Sequence, residues 1–147
     1  MRYLLALIAL LVTVLIPSGL EAQSNLPDLQ VSGFQILSPA TLHCGGAVVK
    51  IAFTETNAGR TDSGPYTLDF VLQTHGFSLH IARPNLPAFS SRVVRTTVTW
   101  YNGPCDCAPI GTITSTYSLL IDAQNVVVES NEGNNMSNIA TLPWSCP

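Results

Sequence analysis

Short runs in which apolar and polar residues alternate recur along this chain, and they limit its fold more than any other feature. In the run Tyr66–Gln73, every second residue from Tyr66 to Leu72 is apolar. Successive side chains of a β-strand point to opposite faces, so this alternation predicts strands with one buried and one solvated face. No segment shows a helical period over three turns, and clusters of Gly, Pro, Asn and Ser separate the runs. The pattern therefore predicts an all-β protein.

Seven runs are predicted as strands: Asp28–Leu37, Ala47–Thr56, Tyr66–Gln73, Phe77–Ala82, Ser90–Trp100, Thr112–Ile121 and Asn135–Leu142. Besides those of the third strand, the inward residues are predicted to be Val49, Ile51, Phe53, Phe77, Leu79, Ile81, Val94, Val98, Trp100, Ile113, Tyr117, Leu119 and Ile121. In the second strand the pattern is expected to end at Thr54 or Glu55. Short strands at regular spacing predict a seven-stranded antiparallel immunoglobulin-like β-sandwich. In that fold the second and fifth strands are neighbours in one sheet, and the sixth and seventh in the other.

The first 22 residues have the composition of a secretory signal peptide. Arg2 precedes an apolar run of about 13 residues from Leu4 to Ile16, and Ala22 offers a small residue for cleavage. An uncleaved anchor is the alternative, but this run is shorter than a membrane span requires. We therefore expect residues 1–22 to be removed, leaving a secreted or periplasmic protein that is not inserted in a membrane.

Composition bounds the remaining chain to one domain, predicted over residues 27–147. The whole sequence has 147 residues, 46% of them hydrophobic and 10% charged, with a formal net charge of −3. It contains no basic stripe, so nucleic acid is not an expected partner.

Four cysteines, Cys44, Cys105, Cys107 and Cys146, follow the leader. An even number in an exported chain predicts two disulfides, with a thiolate metal site as the alternative. If successive strands alternate in direction, all four cysteines meet at one end of the sandwich. The strand neighbours favour Cys44–Cys105 with Cys107–Cys146. The crossed pairing, Cys44–Cys107 with Cys105–Cys146, stays open because a single residue separates two of the thiols.

Three segments stand out as motifs: Pro27-Asp28-Leu29 at the start, Asn57-Ala58-Gly59 after the second strand, and Asp122–Asn135 before the last strand. In this order and at these spacings they resemble the cell-adhesion-related domain found in bacteria, CARDB. The resemblance covers residues 27 to about 142. It implies an immunoglobulin-like sandwich that acts as an extracellular binding or adhesion module.

The Asn- and Glu-rich segment before the last strand has two interpretations. In the first, its side chains support the backbone. Asn131, Asn134 and Asn135 tolerate left-handed geometry and bind nearby amides, which fixes the turn between the sixth and seventh strands, while Glu129 binds loop amides and Val126 and Val128 point inward. In the second, a Ca²⁺ ion is bound by oxygens of Asp122, Asn125, Glu129, Asn131 and Glu132.

Catalysis has little support in the sequence. His43, His75 and His80 adjoin no Ser or Cys in a hydrolase pattern, and no glycine loop for phosphate is present. The expected function is instead a secreted, non-catalytic binding module for a protein or glycan at the cell surface or in the periplasm. The candidate surface, here called the lower pole, consists of Asn57–Gly64, Pro84–Pro87 and Ser130–Asn134. The alternative is a structural subunit that self-assembles by pairing of edge strands. The chain has few charged residues, so its edge strands are poorly protected from such pairing. The sequence does not indicate the oligomeric state.

Overall fold

The structure is a computed structural model that describes residues 25–37, 41–43, 46–73, 76–101 and 112–145. The predicted leader, all four cysteines and His75 lie outside the described residues, as do the side chains of His43, Trp100 and Ile113. The described residues contain no helix that is long and apolar enough to span a membrane.

Eight strands make up the described fold, and seven of them are the predicted ones. The strands are β1 (Leu29–Ile36), β2 (Thr41–His43), β3 (Gly46–Asn57), β4 (Tyr66–Leu72), β5 (Phe77–Arg83), β6 (Ser90–Tyr101), β7 (Thr112–Ile121) and β8 (Ala140–Ser145). The addition, β2, has three residues and pairs with the beginning of β3.

The strands form two antiparallel sheets packed as a β-sandwich. In the first sheet β3 is central, with β6 on one side and β1 and β2 on the other. The second sheet has the order β5-β4-β7-β8. The predicted neighbours, β3 with β6 and β7 with β8, are confirmed.

The core lies between the sheets and contains the described inward residues predicted for β3, β4, β6 and β7, whereas Phe77, Leu79 and Ile81 of β5 are only half-buried against it. Phe34 of β1 meets Phe70 of β4 edge-on at a ring distance of 6.3 Å, and Phe70 stacks on Tyr117 of β7 at 5.3 Å. These three rings join one sheet to the other, and aromatic pairs in such geometries add to the stabilisation from burial. The other buried apolar residues are Leu29, Val31, Val49, Ile51, Phe53, Tyr66, Leu68, Leu72, Leu86, Val94, Val98, Leu119, Ile121 and Val127.

The prediction for the last strand is wrong at its beginning. The ladder with β7 starts at Ala140, and only an isolated bridge joins Met136 to Leu120. Between this bridge and Ala140, side chains of the segment bond to the backbone of β1 and β7. Asn138 both donates to the Phe34 carbonyl and accepts from the Phe34 amide, each at 3.0 Å. The amide of Leu119 donates to the Ser137 hydroxyl at 2.8 Å.

Glu55 continues the inward face of β3 rather than ending it, and it is completely buried. Arg83 of β5 donates to both of its carboxylate oxygens, at 2.6 and 2.9 Å. Arg92 of β6 donates to Oε2 at 2.6 and 2.8 Å and to the Tyr66 hydroxyl at 3.1 Å. Burial, followed by the nearby Glu55 charge, raises the pKa of Tyr66 to about 12. The cluster satisfies a charge whose burial would otherwise be costly, and it links the two sheets on the side where β5 and β6 lie.

The strand register supports a prediction about the disulfides. Gly46, two residues after Cys44, lies opposite Tyr101 at the end of β6; Thr112 at the start of β7 lies opposite Ser145, the residue before Cys146. We expect Cys44–Cys105 and Cys107–Cys146. Mass spectrometry of unreduced proteolytic peptides, with cleavage after Asp106, should show these two linked pairs. Free thiols or the crossed pairs would contradict the prediction.

Candidate functional site

The three segments that resemble CARDB meet at the beginning of β1. The Asn57 side chain is completely buried. Its Oδ1 accepts from the amides of Asp28 and Gly59, both at 3.0 Å. Its Nδ2 donates to the carbonyls of Thr61 at 2.8 Å and Leu86 at 3.0 Å. One amide group thus joins the N-terminal segment, the turn after β3 and the loop after β5.

Gly59 allows the N-terminal segment to lie directly against this turn. A Cβ atom at Gly59 would lie 2.3 Å from the Leu26 carbonyl oxygen and 2.5 Å from the Asp28 nitrogen. Real Cβ atoms do not approach backbone this closely, so a larger residue requires the two segments to separate. Hydrogen bonds from Ala58 to Asp28 at 2.8 Å and from Arg60 to Leu26 at 3.1 Å hold them together.

The segment before β8 fixes the other side of β1. The buried Glu129 carboxylate accepts a short hydrogen bond from the Leu29 amide. The Ser130 amide donates to the Pro27 carbonyl at 2.9 Å, and Asn134 Nδ2 donates to the Asp28 carboxylate at 2.8 Å. Glu129 therefore binds a backbone amide, as the first interpretation predicts, although the amide belongs to β1 rather than to its own loop.

The loop that begins at Asp122 corrects two details of that interpretation. Asp122 and Asn125 have left-handed backbone, with φ of 46° and 51°, and in the described part of the chain Asn131, Asn134 and Asn135 do not. The Asp122 carboxylate accepts from the amides of Val126 at 3.2 Å and Val127 at 2.9 Å. This turn buries Val127, whereas Val126 and Val128 are exposed. The prediction that Val126 and Val128 point inward is wrong, because the Asp122 hydrogen bonds set the loop one residue out of phase.

The carboxylates of this segment lie close enough to raise one another's proton affinity. Burial, with repulsion from Glu132 and Asp122 against the favourable Leu29 hydrogen bond, raises the pKa of Glu129 to about 7. Burial also raises the pKa of Asp122, opposed by its two loop amides. The Glu132 carboxylate accepts from the Glu129 amide at 3.0 Å, and Asn135 Nδ2 lies 3.2 Å from Glu129 Oε1.

The five predicted calcium ligands all lie in the segment before β8. The side-chain oxygens of four of them already accept hydrogen bonds from donors within the protein. Asp122, Glu129 and Glu132 bind the amides described above, and Asn131 Oδ1 accepts from Gly133 at 3.0 Å. The Asn125 amide donates to the Asp122 carbonyl at 2.7 Å. Among the described residues, no group of three or more His, Cys, Asp or Glu is arranged to hold a metal. In this arrangement the side-chain oxygens of four of the five residues accept hydrogen bonds from backbone amides, as in the first interpretation.

The loops of the lower pole are bound to one another. Asp62 accepts from Asn85 Nδ2 at 3.2 Å and from the Ala88 amide at 3.0 Å. Ser63 and Leu86 exchange hydrogen bonds of 3.0 and 3.1 Å. Together with the Pro27 contact to Ser130, these bonds join all three predicted loops into one surface.

Two exposed apolar residues, Phe89 and Val128, lie beside the loops of this surface in the sequence, and the sequence patterns identify neither as exposed. Phe89 has left-handed backbone, with φ of 51°, and 72% of it is exposed. Its amide donates to the Gly59 carbonyl at 3.2 Å, beside the N-terminal segment. Val128, two residues before Ser130, is also 72% exposed. A bulky residue with positive φ is uncommon, and such strain concentrates at sites of function. The sequence around Phe89 has no alternating pattern that would predict either its exposure or its left-handed backbone.

Replacing Gly59 with Ala should lower the free energy of unfolding by about 1–3 kcal/mol, because the added methyl group must displace backbone. Gly133→Ala is the matched control, since a Cβ there meets only the Asn131 Oδ1 atom at 3.3 Å. Urea denaturation of both variants measures the difference. Equal losses in the two variants would show that close backbone contact at Gly59 is unimportant.

Stability should fall as pH rises through neutrality. A carboxyl with a pKa raised from 4.5 to about 7 stabilises the fold below pH 4.5, and this contribution is lost as pH rises through 7. Between pH 5 and pH 8 the free energy of unfolding should drop by about 1–3 kcal/mol from this group. Glu129→Gln should flatten the pH dependence measured by denaturant titration, while Glu132→Gln should retain most of it, because burial is the largest cause of the raised pKa and repulsion from Glu132 is a smaller one. An unchanged slope in Glu129→Gln would assign the effect elsewhere.

The calcium hypothesis stays a prediction with its own measurement. If Ca²⁺ binds Asp122, Glu129 and Glu132, millimolar calcium should raise the melting temperature of chelator-treated protein by relieving their mutual repulsion. Asp122→Asn should reduce that rise, and Mg²⁺ serves as the control ion. An unchanged melting temperature ends the hypothesis.

Comparisons with protein families and with solved structures point to the same family. No curated protein is significantly similar to the chain. The crystal structure of the CARDB domain of the PF1109 protein from Pyrococcus furiosus, in complex with di-metal ions, is similar with a TM-score of 0.52 and 20% identity. The match covers 82% of this chain and 88% of the chain in that crystal structure. The solution structure of the same domain has a TM-score of 0.52 and 19% identity, with coverage of 82% and 95%. These likenesses support the fold.

The family model for CARDB, a cell-adhesion-related domain, matches residues 26–139. This span includes all three segments that meet at the beginning of β1 and most of the described strands. It extends over more than half of the sequence, and the chain therefore belongs to the CARDB family.

Proposed function

We propose that this protein is an exported, non-catalytic adhesion module that recognises a protein or glycan at the bacterial cell surface or in the periplasm. The family supports an adhesive role in general terms. The apolar leader and the even number of cysteines support export into an oxidising compartment. The lower pole is the proposed contact surface.

The observation that carries the assignment of the surface is Phe89. Phenylalanine is ordinarily buried in a core, but Phe89 is 72% exposed. Its left-handed backbone adds a conformational cost. The chain keeps this geometry because the loops on either side are cross-bonded through Asp62 and Gly59. A rigid loop that presents an aromatic side chain is well suited to a binding hot spot, because little entropy is lost on contact.

The chemistry of the surface indicates the kind of partner. Phe89 and Val128 offer apolar contact, and Arg60, Asp62 and Asn85 of the lower pole are exposed polar residues. Aromatic faces beside amide and charged hydrogen-bonding groups suit a glycan ring or a peptide with an apolar side chain.

Phe89→Ala should abolish or weaken binding by about tenfold or more while preserving the fold, because Phe89 contributes little to the core. The mature domain, immobilised, is tested against a glycan array and bacterial envelope fractions. Met136→Ala, at another exposed apolar position, is the matched control. Ligands that bind wild type and Phe89→Ala equally well would reject the lower pole as the contact surface.

A further inference from the structure

The long edge of β6 differs from the other sheet edges because it has no bulge and no proline and is longer than they are. The edge strand β1 is bulged between Ser32 and Gln35, where Gly33 has a φ of 62°. β8 contains Pro143, which has no amide hydrogen to donate. β5 has seven residues and is followed by Pro84. Bulges, prolines and short length are the usual means by which edge strands avoid pairing.

β6 has none of these features. It runs for 12 residues, pairs with β3 in an unbroken register from Ser90 to Tyr101, and contains no proline, glycine or acidic residue. Within the described part of the chain, β3 is its sole strand partner. Half of its residues are Val or Thr, which favour extended backbone. Its second edge therefore offers backbone donors and acceptors to another strand.

The side chains along β6 leave room for that strand. Val93 is 66% exposed, and Arg95, Thr97 and Thr99 on the same face are exposed too. Thr96 shares the inward face with the buried Val94 and Val98, yet it is exposed. The middle of the strand is thus open on both faces.

We propose that a second copy of this chain pairs its own β6 antiparallel to this edge, with Thr96 opposite Thr96 on a two-fold axis. Residues directly opposite in an antiparallel pair share a face, and this register keeps inward residues opposite inward ones. Val94 then lies opposite Val98, a favourable apolar pair. The two first sheets become one continuous sheet.

Charge is compatible with this register. The charged residues of β6 are Arg92, which is bound to the buried Glu55, and Arg95. Pairing about Thr96 places Arg95 opposite Thr97 of the second copy, so like charges do not face each other. A register centred on Arg95 would oppose two arginines and is disfavoured for that reason.

The experiment measures the oligomeric state of the mature protein by sedimentation and native mass spectrometry across a concentration series. The wild type should form a dimer. Thr96→Lys and Thr96→Glu should each weaken the dimer by about tenfold or more, because like charges then meet across the axis. Mixing the two variants should restore a heterodimer, in which opposite charges meet. Ser32→Lys, on the exposed part of β1, is the control and should dimerise as the wild type does.

Thr97→Lys provides a second variant if Thr96 substitutions disturb folding. It is on the exposed outer face and should weaken the dimer by placing Lys opposite Arg95 of the second copy. Circular dichroism and melting temperature verify the fold of every variant. A monomer at all concentrations overturns the proposal. So does a dimer that the β6 substitutions leave intact, or a Lys and Glu mixture that does not associate.

Discussion

The position of the first strand depends on hydrogen bonds to a three-residue segment, Pro27–Leu29, from two distant parts of the chain. Asn57 binds the Asp28 amide, and Glu129 binds the Leu29 amide. β1 is an edge strand, so β3 alone supplies its ladder. Buried side-chain acceptors bind the backbone amides that the ladder with β3 leaves without a partner. A buried amide without such a partner would cost about 1–3 kcal/mol. The family segments are therefore conspicuous in the sequence for a structural reason: they complete the backbone hydrogen bonding of β1.

The same contacts explain why a buried carboxylate is tolerated. Glu129 is removed from water beside two other acids, which disfavours its charge, but it is the acceptor for a β1 amide. On β3, Glu55 is buried and bound to two arginines instead. One carboxylate is held by neutral donors and has a raised pKa, while the other is neutralised by cations. Both carboxylates join elements that are far apart in sequence. Such links add stability in a small domain, whose core buries a limited apolar area.

Sequence patterns predicted most of the strands because the period of two is dictated by burial on one face. The inward faces of β3, β4 and β7 follow that rule, and their neighbours in the sheets follow from the fold class. The loop residues follow no such period. Val126, Val127 and Val128 are equally apolar, and only the Asp122 hydrogen bonds decide which of them is buried. The pairing of Glu55 with Arg83 and Arg92 was equally hidden, since alternation places Glu55 inward but does not identify partners in other strands.

The distribution of these contacts also distinguishes the two surfaces proposed for binding. The lower pole is stiffened by bonds between its loops, and these bonds do not involve the exposed Phe89 side chain. The β6 edge lies along the side of the sandwich, where Arg92 turns inward to Glu55 and removes one positive charge from the free edge. A strand approaching β6 therefore meets only Arg95 as an exposed charge on that strand. The buried ion cluster that links the sheets is thus also what leaves the longest edge nearly uncharged, and internal packing and external pairing are connected through one residue.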